Sequence, residues 1–511
     1  MRLPRAIGPG AVAFLVLWLL LLTAGRSNFF RDPGTFWHVV TGERILADGF
    51  IRTDPYTFTF GGTWWVPYQW LGEVVMALIH RAGGFDALLL GSVTLIAGIY
   101  AWLTTRLLQT GLRPVAVGAL IALALAASSS HFHVRPHLFT IAGMAATMAL
   151  LVDIDAGLVP LRRLAWLIPL FVVWTNIHGG VLGGIATVGI AAAGWVVARA
   201  VGLPSPVRSW ADGMAVVSVV AGCGLATLVN PYGLDLHRTW SIIMGEPVLK
   251  QIIQEHSPLD PNQPYAWSLL GFAALYLGLL AGIRWREMRV SWLLPVVWLI
   301  LACDRVRHAP LFAVTALVGV AAVWPHTRWA KWMERTRPDL YQPPRDNPRT
   351  PLLANLGLPL LVVLTAFLLQ TTGQPVPVVG AGWVQHDPRH WPVELLDVLQ
   401  ENEPRSSVGN HLFNDYIDGG FVIYHAPGYK VFVDDRCEVF GGEWLLNFVR
   451  ASSEDTAIAV AGWEQTYGQF DFALTRTGTG FDDYFRTAAD WDLVKRTDTA
   501  AFYRRKARQH S

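Results

Sequence analysis

Long uninterrupted apolar stretches, not alternating apolar and polar positions, dominate the first three quarters of the chain. Runs long enough to cross a hydrocarbon core of roughly 30 Å, tilt allowed for, lie at about 9–25, 84–105, 113–130, 137–153, 163–178, 179–200, 211–229, 265–283, 290–303, 308–324 and 352–371. The pattern predicts about eleven transmembrane helices. Two further stretches are amphipathic: 34–47 carries Phe36, Val39, Val40 and Ile45 on one side, and 68–81 carries Glu73 and His80. Both read as helices lying at the interface, not as spans. From about Pro375 charges return, and short strand-like runs at 421–424, 430–433 and 470–474 alternate with helical stretches. The fold class is therefore mostly α: a polytopic membrane helical bundle over 1–374, with an outer loop at 26–66, followed by a small α/β domain over 375–511. No internal repeat is visible.

Composition agrees with lipid as part of the solvent, because 52% of the 511 residues are hydrophobic and only 15% charged. A net charge of +2 and the lack of a basic run with interleaved aromatics exclude a nucleic-acid partner. Cys223, Cys303 and Cys437 are too few for a disulfide framework. Arg2 and Arg5 precede the first apolar run, and Thr23-Ala24-Gly25 is a poor cleavage site, so the run reads as an uncleaved first helix. With the N-terminus in the cytoplasm, the connections hold about seventeen basic residues inside, among them the tract 328–349, against about ten outside before the tail. The expected location is the cell (inner) membrane, with the C-terminal domain periplasmic or extracellular.

On that topology the unusual polar residues collect at the outer ends of the spans. They include His38, His131-Phe132-His133-Val134-Arg135-Pro136-His137, Asn176-Ile177-His178-Gly179-Gly180, and Asp304-Arg305-Val306-Arg307-His308. Arg and His at membrane depth need a cavity or an anionic partner. A lipid phosphate or diphosphate suits them, since a guanidinium fork matches phosphate oxygens. Snorkelling to ordinary headgroups, or pairing with nearby carboxylates, is the other reading. Asp32-Pro33 and Asp54-Pro55 have the form of helix caps; Asp32, just beyond the first span and beside the cationic rim, reads equally as a cap or as a catalytic base. Candidate ligand-binding residues are thus His38, Asp54, His133, Arg135, His137, His178, Arg305, Arg307 and His308. Asn230-Pro231-Tyr232-Gly233 reads as a turn, and Trp64, Trp65 and Trp70 as an aromatic belt. Asp434-Asp435-Arg436 could touch a sugar, although strand-end carboxylates are more often solvated surface. No set of residues has the spacing of a metal site.

A first span, a long outer loop opening on an acidic residue, many further spans and an outer C-terminal domain together resemble the GT-C superfamily of membrane glycosyltransferases. The nearest branch holds protein O-mannosyltransferases, aminoarabinose transferases and RgtA/B/C/D-like bacterial proteins. Family members often pair two acids in that loop, whereas here Asp32 is followed by Pro33 and has no adjoining carboxylate. The resemblance implies inverting glycosyl transfer, hexosyl or pentosyl, without a cofactor. The donor would be a sugar on a polyprenyl phosphate, and the acceptor a hydroxyl of a glycan, lipid or protein. Asp32 would take the acceptor proton, and Arg135, His137, Arg305, Arg307 or His308 would stabilise the leaving phosphate. Two other functions fit the same pattern: a transporter or flippase for a lipid-linked or anionic solute, and a non-catalytic envelope assembly protein. Transport predicts polar residues on both sides of the membrane, and these fall on one.

Overall fold

The computed structural model describes residues 7–344, 352–406 and 409–507. Arg2, Arg5, Arg345 and Arg349, which entered the charge count above, lie outside the described residues. Among the described residues, eight helices are long and apolar enough to cross a membrane, from Pro9–Asn28 to Leu352–Thr371. Two shorter apolar helices, Trp210–Ala226 and Val290–Asp304, fall where spans are expected. The stretch expected at 163–178 is a 3-10 turn, Leu161–Trp166, continued by the α-helix Leu167–Ile177. Each predicted apolar run is thus helical, because a segment in hydrocarbon must satisfy its own backbone hydrogen bonds.

The interfacial helix expected at 68–81 runs into the next span as Trp70–Gln109 but is broken at Gly83 and Gly84, where Gly84 takes φ +62°. Only glycine holds that left-handed conformation cheaply, so the chain changes direction between an amphipathic helix and a true span. The helix expected at 34–47 is Gly34–Asp48. Asn230-Pro231-Tyr232-Gly233 is a turn, closed by Asn230 Oδ1 accepting from the Tyr232 N–H at 2.8 Å.

The bundle has two unlike ends. At one, Arg106 pairs with Asp153 at 2.6 Å, the Ser291 N–H donates to Asp155 at 2.9 Å, and Arg113 N–H donates to Leu340 O at 2.8 Å. At the other end the loops around 31–33, 130–137, 178–180, 243–256 and 305–308 meet around one space and meet the C-terminal domain.

That domain is built on a five-stranded sheet of β1 (His411–Asn414), β2 (Lys430–Val431), β3 (Phe472–Arg476), β4 (Trp491–Arg496) and β5 (Ala500–Arg505), in the order β2-β1-β3-β5-β4. The β1 strand pairs parallel with β2 and β3, and β5 runs antiparallel to β3 and β4. One face packs Phe413, Ala473 and Tyr503 against helices Gly442–Ala451, Thr456–Tyr467 and Gly480–Thr487. The other packs Leu412, Val431 and Phe502 against Trp37, Tyr56 and Trp65 of the outer loop. The loop also extends the sheet, with Thr57 bridged to Val431.

Two expectations change here. The run 421–424 is not a strand but part of the helix Gly419–His425. Phe421, Val422 and Ile423 are all buried, and a short, wholly apolar run does not distinguish a buried helix from a buried strand. Gly420 makes the packing possible: a β-carbon there would lie 2.3 Å from Pro33 O. Trp65 is 2% exposed and donates its indole N–H to Glu438 at 3.0 Å. It is a core anchor and not part of an interfacial belt.

Candidate functional site

Where the rim loops meet the C-terminal domain, the chain encloses two connected cavities, of about 390 Å³ and 250 Å³. Both are lined by Tyr68, His131, His133, Arg135, His178, Glu255, His256 and Arg307, which makes them one space. Asp32, Asp435 and Glu438 border the part near the C-terminal domain, whereas His137, Trp240, Trp298, Arg305 and His308 border the part sunk in the bundle. Eight of the ten residues singled out from the sequence therefore surround one cavity: Asp32, His133, Arg135, His137, His178, Arg305, Arg307 and His308.

Asp32 both closes the turn that leads into the helix Gly34–Asp48 and pairs with a cation. Its Oδ1 accepts from the Gly34 N–H at 2.8 Å, and its Oδ2 from Arg135 Nη1 at 2.8 Å. The tight geometry needs glycine next door, since a β-carbon on Gly34 would sit 2.8 Å from that Oδ1 and 3.1 Å from Arg135 Nε. Pro136 disfavours helix at Arg135, so the cation sits on the turn leading into Leu138–Asp155. Burial works against the charged guanidinium of Arg135, yet Asp32, Glu255 and Asp435 around it more than compensate and keep it protonated.

Glu255 is a cavity residue that sequence reasoning missed. It lies on the one-turn segment Gln254–His256, with Oε1 3.4 Å from Arg307 Nη1 and Oε2 3.4 Å from His131 Nε2. Burial pushes its carboxyl up, but Arg307, His131 and Arg135 outweigh that and hold it well below the usual carboxylate range. Arg307 also donates to His256. Arg305 borders the deeper cavity beside Asp304, at 3.7 Å, and Asp304 is itself paired with Lys250 at 2.8 Å.

His133, His137 and His178 are held toward their neutral forms, as donors and acceptors and not as extra charges. Burial, then Arg307 and Arg135, push His178 down to about 3, and burial with Arg135 and His131 holds His137 well below its ordinary range. Burial likewise lowers His133. His178 Nδ1 accepts from the Gly180 N–H at 2.9 Å, which fixes its proton on Nε2. His137 Nε2 donates to His131 O at 2.8 Å. His133 Nδ1, His256 Nδ1 and His131 Nδ1 are buried and lack a hydrogen-bond partner among the described residues. Such groups in a cavity wall are what a polar guest would satisfy.

His38 and Asp54 lie elsewhere. His38 is buried against Glu73, at 2.9 Å. Asp54 belongs to a buried ion triad: Arg436 Nη2 stands 2.7 Å from Asp54 Oδ1 and 2.6 Å from Asp434 Oδ2, with the rings of Trp65 and Tyr56 at 4.5 Å and 4.8 Å. Burial raises the Asp54 carboxyl, but Arg436 and the hydrogen bonds from Thr57 and Tyr56 bring it below its ordinary value. Neither borders the two cavities described above, and no local signal in the sequence separates them from residues that do. The segment 434–436 is likewise not solvated: Asp434 and Arg436 are 0% and 1% exposed. Among the described residues, no group of three or more His, Cys, Asp or Glu could hold a metal ion.

No protein-family profile matches the chain, and no curated protein is similar to it in sequence. Solved structures do match its shape. The oligosaccharyltransferase of Archaeoglobus fulgidus, crystallised with a tethered acceptor peptide containing the NVT sequon, superposes with a TM-score of 0.50 at 13% identity, over 91% of this chain and 69% of that one. ArnT from Cupriavidus metallidurans, bound to undecaprenyl phosphate, superposes with a TM-score of 0.48 at 14% identity, over 96% of this chain and 97% of that one. The chain has a GT-C-like polytopic helical fold, with helices long and apolar enough to cross a membrane.

Proposed function

We propose that the protein is a membrane glycosyltransferase that moves a sugar from a polyprenyl-phosphate-linked donor to an acceptor hydroxyl at the outer face of the membrane. The observation that carries this reading is the single cavity in which Arg135, Arg305 and Arg307 converge with uncharged histidines beneath a soluble domain. A phosphate head fits there because guanidinium forks and imidazole N–H groups are fixed before it arrives and need no reorganisation as charge builds on the leaving oxygen. The apolar wall of Trp240, Trp298 and Leu311 suits the first isoprene units. Orientation rests on the basic connections at the opposite end of the bundle, which the positive-inside rule assigns to the cytoplasm.

In the reaction the acceptor oxygen attacks the anomeric carbon, the bond from that carbon to the phosphate oxygen breaks, and the configuration inverts. The acceptor proton passes to a carboxylate of the cavity wall, where Asp32 supplies negative charge and steadies Arg135. The sugar, hexose or pentose, and the acceptor, whether glycan, lipid or peptide, are matters of donor and acceptor screening. The transporter reading is disfavoured because the arginines and histidines that border the cavity collect at one end of the bundle, whereas at the far end Arg106 and Asp153 pair with each other.

The test is reconstitution in vesicles with a polyprenyl-phosphate-linked sugar and an acceptor-bearing lipid, glycan or peptide. The expected product carries a new glycosidic bond, and Asp32→Asn lowers its rate at least tenfold with the protein still folded and inserted. Relocation of the donor lipid without any glycosidic product would overturn the reading in favour of a flippase.

A further inference from the structure

The carboxyl groups at the mouth of the cavity are not equivalent. Asp32 has both oxygens engaged, one by the Gly34 N–H and one by Arg135, each at 2.8 Å. Giving up either bond opens the turn that starts the helix at Gly34 or takes from the partly buried Arg135 its ion-pair partner. Asp435 differs. Its Oδ1 accepts from the Trp37 indole N–H at 2.7 Å, while its other oxygen has no hydrogen-bond partner among the described residues, and the side chain borders the cavity.

Its position is also rigidly fixed. The preceding residue, Asp434, and the following one, Arg436, are locked in the ion triad with Asp54, so Asp435 stands between two buried anchors. A carboxyl held in place by its neighbours, with one acceptor oxygen free of hydrogen bonds and its residue bordering a cavity, has what a general base requires.

We propose that Asp435, contributed by the C-terminal domain, accepts the acceptor hydroxyl's proton, and that Asp32 is a positioning residue that holds Arg135 against the leaving phosphate. The inference rests on the transferase reading given above. The step balances: the acceptor O–H bond breaks as its oxygen bonds to the anomeric carbon. The electron pair of the broken carbon–oxygen bond leaves on the phosphate, and the proton ends on the Asp435 carboxyl.

The surroundings support a proton acceptor that works near neutral pH. Burial, and then the negative charge of Asp32, push Asp435 up to about 8, against the pull of Arg135 and the Trp37 hydrogen bond. The other titratable groups facing it are Asp434 beside it, Tyr416, and Cys437. Burial raises the Tyr416 hydroxyl and the Cys437 thiol well above neutral, so neither competes for the role.

The experiment measures the pH–rate profile of transfer from a polyprenyl-phosphate-linked sugar by the full-length protein in vesicles, with polyprenyl phosphate binding followed separately. Asp435→Asn is expected to lower kcat at least 100-fold, to abolish the rising limb toward alkaline pH, and to leave the Kd for polyprenyl phosphate within about threefold. Trp37→Phe, which removes the donor that favours the charged carboxylate, is expected to move that limb to higher pH without abolishing transfer. It also tests the idea where Asp435→Asn fails to fold. A wild-type-like rate and profile in Asp435→Asn, or an unmoved limb in Trp37→Phe, overturns the inference and leaves the transferase reading intact. A wild-type protein that transfers no sugar overturns both.

Discussion

Glu255 occupies the place that an incoming phosphate would claim, because its two oxygens stand 3.4 Å from Arg307 and 3.4 Å from His131. On the proposed transferase reading, donor binding breaks these contacts before the cations turn to a new anion. Both Glu255 and Arg307 are 28% exposed, so the pair is partly screened and belongs near the weak end of ion-pair strengths, about 0.2–1 kcal/mol. Glu255→Gln keeps the shape and removes the charge, and it is expected to tighten polyprenyl phosphate binding by up to about fivefold, the equivalent of about 1 kcal/mol. Arg307→Ala should act in the opposite sense and more strongly. It removes a hydrogen bond to a charged group worth about 1.5–3 kcal/mol, which is about 10- to 150-fold in Kd. If the competition is real, the gain from Glu255→Gln depends on Arg307, and the double variant binds no better than Arg307→Ala alone. Titration of polyprenyl phosphate into protein held in lipid discs reads all three numbers, and the Glu255→Gln gain should shrink as salt is raised. A Glu255→Gln protein that is folded but binds the lipid phosphate less tightly than wild type would refute the competition.

The other outcomes concern the C-terminal domain. Arg436→Met leaves Asp54 and Asp434 buried without their shared cation and is expected to cost about 3–5 kcal/mol; the protease resistance of the domain should fall, and Asp54→Asn in the same protein should restore part of it. Burial raises Asp415 to about 7, so between about pH 4, near the ordinary aspartate value, and pH 7 the folded protein holds a proton that the unfolded chain has lost. Stability of the domain should therefore decrease as pH rises through that window, by at most about 1.4 kcal/mol per pH unit. Asp415→Asn should flatten the dependence, as thermal denaturation at several pH values would reveal.

The helices were readable because lipid leaves the backbone no alternative to internal hydrogen bonding, so apolar length alone located them. The break at Gly83-Gly84 was readable for a related reason: Glu73 and His80 did not belong in hydrocarbon, and an interfacial helix needs a turn before the span that follows. The cationic rim stood out against the expected depletion of basic residues on that side. His38 and Asp54 were drawn in with it because a buried polar residue with a partner looks, in sequence, the same as one lining a cavity. Their partners Glu73 and Arg436 arrive only through tertiary contact. Glu255 gave no signal at all, being one acid in a short polar connection whose meaning depends on Arg307 and His131.

Asp435 was hidden for the opposite reason, since two acids and an arginine after a strand have the composition of ordinary surface. What buries them is the outer loop. Trp37 donates to Asp435, Asp54 completes the triad on Arg436, and Trp65 donates to Glu438, so three polar residues within one short stretch of the tail meet three residues of a loop that precedes the second span. The loop that carries Asp32 is therefore also the seat of the soluble domain, and the two carboxyl groups reach one cavity because the same tryptophans and ion triad hold both sides of the junction. Loosening Arg436 should consequently impair chemistry as well as folding, because Arg436 is one of the two buried anchors that flank Asp435.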